Sequence, residues 1–362
     1  MIHPLHEKWA KLLVHYCCEV KAGDKVALNV ELPAEKMARA LYREILNSGA
    51  TPVLHMSYPE QKADLLELAP DSFFDTEPEL ELYEIQHTDA WMNIRAPRNT
   101  KTLQTADKTR LSQLQKRLRP VSNHRVNHTN WVLSLYPTEG AAQDAGMSTD
   151  DYEHFVYSAM YLYDDDPVAK WNELHTFQAE LIERLKNADE VHIQADGTDL
   201  KLRTKGRTWI NSAGHRNMPS GEVFTGPLED SATGHIHYTI PSNVNGVDVE
   251  GIRLEFKDGK IVKAKADKGD DLLQAQLSTD GGARFLGELG IGTNYQIQTP
   301  TRSILFDEKI GGTVHLAAGK SYESTGGTND SAIHWDMICD LRQGGTIHLD
   351  GELFQENGEF KL

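Results

Sequence analysis

The chain has 362 residues, enough for two domains with ample core, and its apolar and charged shares are those of an ordinary globular protein. Its net charge of −17, from 37 basic against 54 acidic residues, argues against nucleic-acid phosphate as the main partner, because phosphate needs basic surface. No apolar run reaches the ~18 residues of a membrane span. The N-terminus lacks the apolar stretch of a secretory leader, and Cys17, Cys18 and Cys339 form no C-x-x-C pair, so a cytoplasmic protein with reduced thiols is expected.

The first part of the chain alternates strand and helix signals. Residues 25–30 read as a strand, and Pro33 then opens a helix through Ala34, Met37, Leu41 and Ile45, closed by Asn47-Ser48-Gly49. Further strands are expected over 51–56 and 90–94. Helices between strands predict βαβ units and a mainly parallel sheet. Residues 148–163 read as a helix capped by Ser148 or Thr149, with acids in its first turn. Asp164-Asp165-Asp166-Pro167 breaks the chain and starts a long helix with Trp171, Leu174, Leu181 and Leu185 on one face. Beyond it, Asp196-Gly197 and Asp258-Gly259 sit between alternating runs, the signal for hairpins. The reading is therefore an α/β N-terminal domain, 1–165, and an α+β, strand-rich C-terminal domain, 166–362.

The most informative stretch is Ser331-Ala332-Ile333-His334-Trp335-Asp336-Met337-Ile338. In an extended strand His334 and Asp336 project from the same face. Burying both without partners would cost several kcal/mol. A divalent metal compensates for that, and so does a hydrogen-bonded or surface pair; both readings stay open on this stretch alone. Glycine-flanked segments elsewhere offer Glu222 (Pro219-Ser220-Gly221-Glu222), Glu288 (Gly287-Glu288-Leu289-Gly290) and His315 (Gly311-Gly312-Thr313-Val314-His315). Glycines let backbones approach closely around a site. Glu222, Glu288, His315, His334 and Asp336 are mixed oxygen and nitrogen donors, which suits zinc, cobalt or manganese better than calcium. Three carboxylates and two imidazoles are many for one open site and about right for two ions sharing a carboxylate.

These blocks resemble the aminopeptidase T family, the PepS/AmpS-like cocatalytic metallo-aminopeptidases. The matching stretches are Met218-Pro219-Ser220-Gly221-Glu222, Gly287-Glu288-Leu289-Gly290-Ile291-Gly292-Thr293-Asn294, the run from Leu305 through His315, and the run from Ser331 through Asp340. The N-terminal half matches more loosely, at Tyr136-Pro137-Thr138-Glu139 and Ala145-Gly146-Met147-Ser148. The resemblance implies that Glu222, Glu288, His315, His334 and Asp336 bind two divalent metal ions and that Tyr322 takes part in catalysis. It further implies release of N-terminal residues from short peptides, and a homodimer. The chain reads as a shortened member, with length missing before Glu222 and between Tyr322 and His334, which leaves the ligands in place but bears on cavity access.

Within that reading Glu288 bridges the metals or acts as the base, and Tyr322 hydrogen-bonds the developing oxyanion. Glu308 is a general base, a carboxylate orienting a histidine, or an ion pair with Lys309. Competing readings are a dipeptidase or other amidohydrolase, and a non-catalytic metal-binding protein. His235-Ile236-His237 and the pair His348, Asp350 mimic ligand spacing but are expected at the surface, and the Asp164–Asp166 run reads as a solvated helix start. Gly290-Ile291-Gly292 lacks the third glycine of a dinucleotide fingerprint, and there is no H-E-x-x-H, G-x-S-x-G or Walker A motif.

Overall fold

The computed structural model describes residues 2–244 and 246–361, which form two compact units. The first comprises Met1–Lys170 and Gly214–Pro219, the second Trp171–Ala213 and Ser220–Leu362. The chain thus leaves the first unit within the helix Pro167–Leu185 and returns to it briefly before Ser220.

The first unit is built on a parallel sheet of Thr51–Ser57, Lys25–Glu31, Ala90–Arg95, Asn130–Leu135 and Asn217–Met218, in that order. Its central strands bury one face completely through Val26, Leu28, Met92, Ile94 and Val132, while the opposite face, with Asn29, Trp91, Asn93 and Trp131, is partly buried. The expected helix after Pro33 begins as a short 3₁₀ turn, Leu32–Ala34, and continues as Glu35–Asn47, burying Met37, Leu41 and Ile45. Gly49 ends it in the left-handed region (φ +81°). Ser148 caps the next expected helix by accepting the Asp151 N–H at 3.1 Å. That helix, Thr149–Ala159, is shorter than the 148–163 expectation, because the chain turns left-handed at Tyr161 (φ +59°). Several elements had no sequence expectation, among them the strand Asn130–Leu135 and the helix Lys108–His128, which carries Pro120 inside it.

The second unit holds an eight-stranded and a five-stranded antiparallel sheet. Both Asp-Gly signals form the hairpins they predict. Asp196-Gly197 joins Glu190–Ala195 to Thr198–Arg203, and Asp258-Gly259 joins Ile252–Lys257 to Lys260–Lys265. Asp258 and Gly259 both lie at positive φ, the backbone of a tight hairpin turn. The two sheets contribute to one core. Ile193, Leu200, Ile236 and Leu254 come from the larger sheet, and Val223, Leu289, Ile291, Val314, Leu316 and Met337 from the smaller. Leu181 and Leu185 of the helix join them. The fold class is therefore the one expected: an α/β half with a parallel sheet and a strand-rich α+β half.

Candidate metal centre

The five-stranded sheet runs in the order His334–Asp340, Thr313–Gly319, Leu286–Gly292, Glu222–Thr225, Ile210–Ser212. Its apolar side chains alternate onto the core face, so the intervening residues project from the other face. Those residues are Glu222, Glu288, His315, His334 and Asp336. On one side of each of them a small residue stands opposite: Gly292 pairs with Glu222, Gly290 with His315, Ala317 with both Glu288 and Asp336, and Gly319 with His334, while Ile338 faces His315 from the other side. Gly290 shows why a small residue is needed. A Cβ at that position would lie 2.0 Å from His315 Nε2, so only glycine lets the imidazole lie across the neighbouring strand. Gly221, at φ +119° and pressed against Asn294, turns the chain into Glu222.

A bulge aims Glu288. Leu286 lies in the core, and period two would send Glu288 to that same side. The register shifts between Leu286 and Glu288, inserting Gly287 and turning the carboxylate to the site.

The five side chains converge. His315 Nε2 lies 3.2 Å from Glu222 Oε2 and 3.2 Å from Glu288 Oε1. His334 Nε2 lies 3.3 Å from Asp336 Oδ2 and 3.8 Å from Glu288 Oε2. Among these five the donors form two groups, Glu222–Glu288–His315 and Glu288–His334–Asp336, each with its ligand atoms within 4.8 Å of one another, and a third group, Glu308–His315–Asp336, meets the same distance across them. Glu288 belongs to both, one oxygen turned to each. His334 Nδ1 donates to the Lys320 carbonyl at 2.7 Å, which presents Nε2 to the carboxylates. Gln178, from the long helix, donates to the Glu222 carbonyl at 3.0 Å and to Thr293 Oγ1 at 2.8 Å, steadying the strand from behind.

The electrostatics are those of concentrated, buried charge. Burial alone would lower an imidazole's pKa, but Asp336 and Glu288 raise that of His334 to about 10. Burial would lift Asp336, yet His334 holds it at about 2. Burial raises Glu288 despite its bond to His315, and lifts Glu308 to about 8 despite Lys309. Glu222 is held below its usual range, against its burial, by Lys309 and His315. Glu222 Oε2 and Asp336 Oδ1 are buried and have no hydrogen-bond partner among the described residues. Buried carboxylate oxygens facing imidazole nitrogens fit a divalent cation of the zinc, cobalt or manganese type.

Tyr322 follows the His315 strand. Its ring lies 5.0 Å from that of His334 and 5.8 Å from Phe224, and the residue is about half exposed at 49%. Partial burial, with Glu288 and Asp336 nearby, keeps its hydroxyl protonated well beyond the ordinary tyrosine range. Glu308 sits at the end of the helical turn Ile304–Asp307 and comes within ligand distance of His315 and Asp336. It accepts a bond from Lys309, as an adjacent Glu-Lys suggests, but the pair is buried rather than at the surface. Lys309, which also bonds Glu222 at 2.5 Å, has no counterpart among the sequence-derived candidates. The mimics lie elsewhere. His235 is exposed on the larger sheet, His348 is half-buried facing His192, and Asp350 caps the N–H groups of Asp189 and Glu190.

The family described as thermophilic metalloprotease (M29) matches residues 3–360. Aminopeptidase 2 of Geobacillus stearothermophilus is 26% identical over 391 residues, covering 95% of this chain and 93% of that relative. Aminopeptidase AmpS of Bacillus subtilis (strain 168) is 28% identical over 345 residues, covering 87% and 83%. The solved structure of wild-type AmpT from Thermus thermophilus has the same fold, with a TM-score of 0.85 at 22% identity over 99% of each chain.

Proposed function

Since this chain belongs to the thermophilic metalloprotease (M29) family and is a metallo-aminopeptidase, we propose that it releases N-terminal residues from short peptides by means of two divalent ions and an activated water. The observation that carries this reading is the division of Glu288, with Oε1 toward His315 and Oε2 toward His334. Glu222, Glu288 and His315 would hold one ion, and Glu288, His334 and Asp336 the other, with zinc, cobalt or manganese as the metal. When bound there, such a pair would supply Lewis-acid polarisation of the peptide carbonyl and activation of a water near neutral pH.

The chain's own residues do the rest. Glu288 spans the two groups. The Tyr322 hydroxyl, neutral and half-exposed beside His334, donates to the oxyanion that develops on the substrate carbonyl. Glu308, with one oxygen taken by Lys309, acts as an orienting carboxylate rather than the base. Catalysis belongs to the C-terminal domain, 166–362; the homodimer comes with the resemblance, and the cytoplasm with the reduced cysteines. No helix among the described residues is long and apolar enough to cross a membrane. The test is peptide turnover before and after chelation. Loss on chelation and recovery with zinc, cobalt or manganese supports the reading, and turnover unaffected by thorough chelation overturns it.

A further inference from the structure

We infer that the Lys309 ammonium competes with metal for Glu222, making the Glu222–Glu288–His315 group the weaker and more exchangeable half of the centre. This rests on the two-ion reading above. Lys309 is 1% exposed, the only buried lysine among the described residues. Its backbone is fixed on both sides: its N–H donates to Phe306 O and its carbonyl accepts from Asn294 N–H, each at 3.0 Å. Its ammonium donates to Glu222 Oε1 at 2.5 Å and to Glu308 Oε1. A lysine is almost never fully buried unless paired. Here the partner is itself a candidate ligand. The other half differs, because Asp336 and His334 carry no ion pair to lysine or arginine among the described residues.

Two effects of Lys309 on metal binding oppose each other. Bonding Oε1 leaves Oε2 turned to His315 Nε2, which preorganises the group; such outer partners contribute about 10–100-fold in affinity. Against that, a fixed positive charge roughly 5 Å from a divalent ion, at an effective dielectric near 20, weakens binding on the order of 10⁵-fold before relaxation. Glu222 is also held independently by its strand pairing with Gly292 and by Gln178, so little orientation is lost without the lysine. Repulsion is therefore the larger effect. The half without a lysine takes up metal first.

The test is calorimetric titration of the metal-free full chain with zinc. The unaltered protein is expected to take up two ions in separable steps, and Glu222→Gln to remove the weaker. Lys309→Met is expected to tighten that weaker step by about tenfold or more and the tighter step, which the Lys309 charge reaches only through Asp336, by clearly less. Lys309→Gln, uncharged but still a donor, is read in the same way should the Met variant not fold. A weaker step that is unchanged or loosened, or both steps tightening alike, overturns the inference while leaving the two-ion reading intact. An unaltered protein that takes up no second ion overturns that reading and the inference with it.

Discussion

The two faces of the five-stranded sheet share one backbone and do opposite things. Toward the core, Val223, Leu289, Ile291, Val314, Leu316 and Met337 remove apolar surface from water, each stabilising the unit by about 1.5–3 kcal/mol. On the other face the same strands carry Glu222, Glu288, His315, His334 and Asp336, whose burial is unfavourable until charge is balanced. The apolar face holds the strands while the polar face concentrates the candidate ligands. The glycines and Ala317 opposite those ligands make room for them.

Substitutions can separate the two faces. Glu288→Gln is expected to lower peptide turnover by about 10³-fold or more, roughly 4 kcal/mol of barrier, while the circular-dichroism spectrum stays unchanged. Normal turnover would remove Glu288 from the mechanism. On the core face, Leu289→Ala is expected to reverse that pattern, costing about 2–5 kcal/mol of stability in denaturant unfolding while residual folded protein still takes up metal. Gly290→Ala lies on the site face and pushes a methyl into the His315 ring. Its expected effect is a loss of about 10–100-fold in zinc affinity by titration, and full affinity would mean the ring can move aside. Tyr322→Phe, half-exposed, should leave stability alone and lower kcat by about tenfold or more with little change in KM. Equal turnover would reduce Tyr322 to packing.

The smallest effect contrasts His334, surrounded by carboxylates, with His6 of the first unit. His6 is 5% exposed and its one hydrogen-bond partner named in the structure is the Tyr157 hydroxyl, at 3.0 Å. Burial lowers its pKa to about 4. The unfolded chain therefore binds the proton more readily than the folded one between about pH 6.5 and pH 4. Stability should fall with pH through that window, by about 1–2 kcal/mol after allowing for solvent screening. His6→Gln, compared by thermal melts at pH 7 and pH 4.5, should show a smaller pH-dependent loss; an equal loss would assign it to other groups.

Much of the convergence of the candidate ligands was legible because strand geometry converts spacing into direction. His334 and Asp336, two apart in an apolar run, had to share a face, and glycine-flanked Glu222 and Glu288 marked places where backbones crowd. Other features left weaker traces. The bulge that turns Glu288 to the site depends on pairing with the next strand, which no local pattern encodes. Lys309 beside Glu308 reads as an ordinary surface pair, and only the tertiary fold buries it against Glu222. The helix Lys108–His128 buries only Leu111 and Leu114, too little for an apolar period. The two-residue strand Asn217–Met218 is too short to show alternation.

The central claim, that Glu288 joins two metal sites, is tested most directly by elemental analysis of the purified chain and of Glu288→Gln after reconstitution with zinc. The account expects about two ions per chain in the unaltered protein and a clear loss of bound metal in the variant. Full peptide turnover with one ion or fewer per chain, or two ions retained by Glu288→Gln, would contradict it.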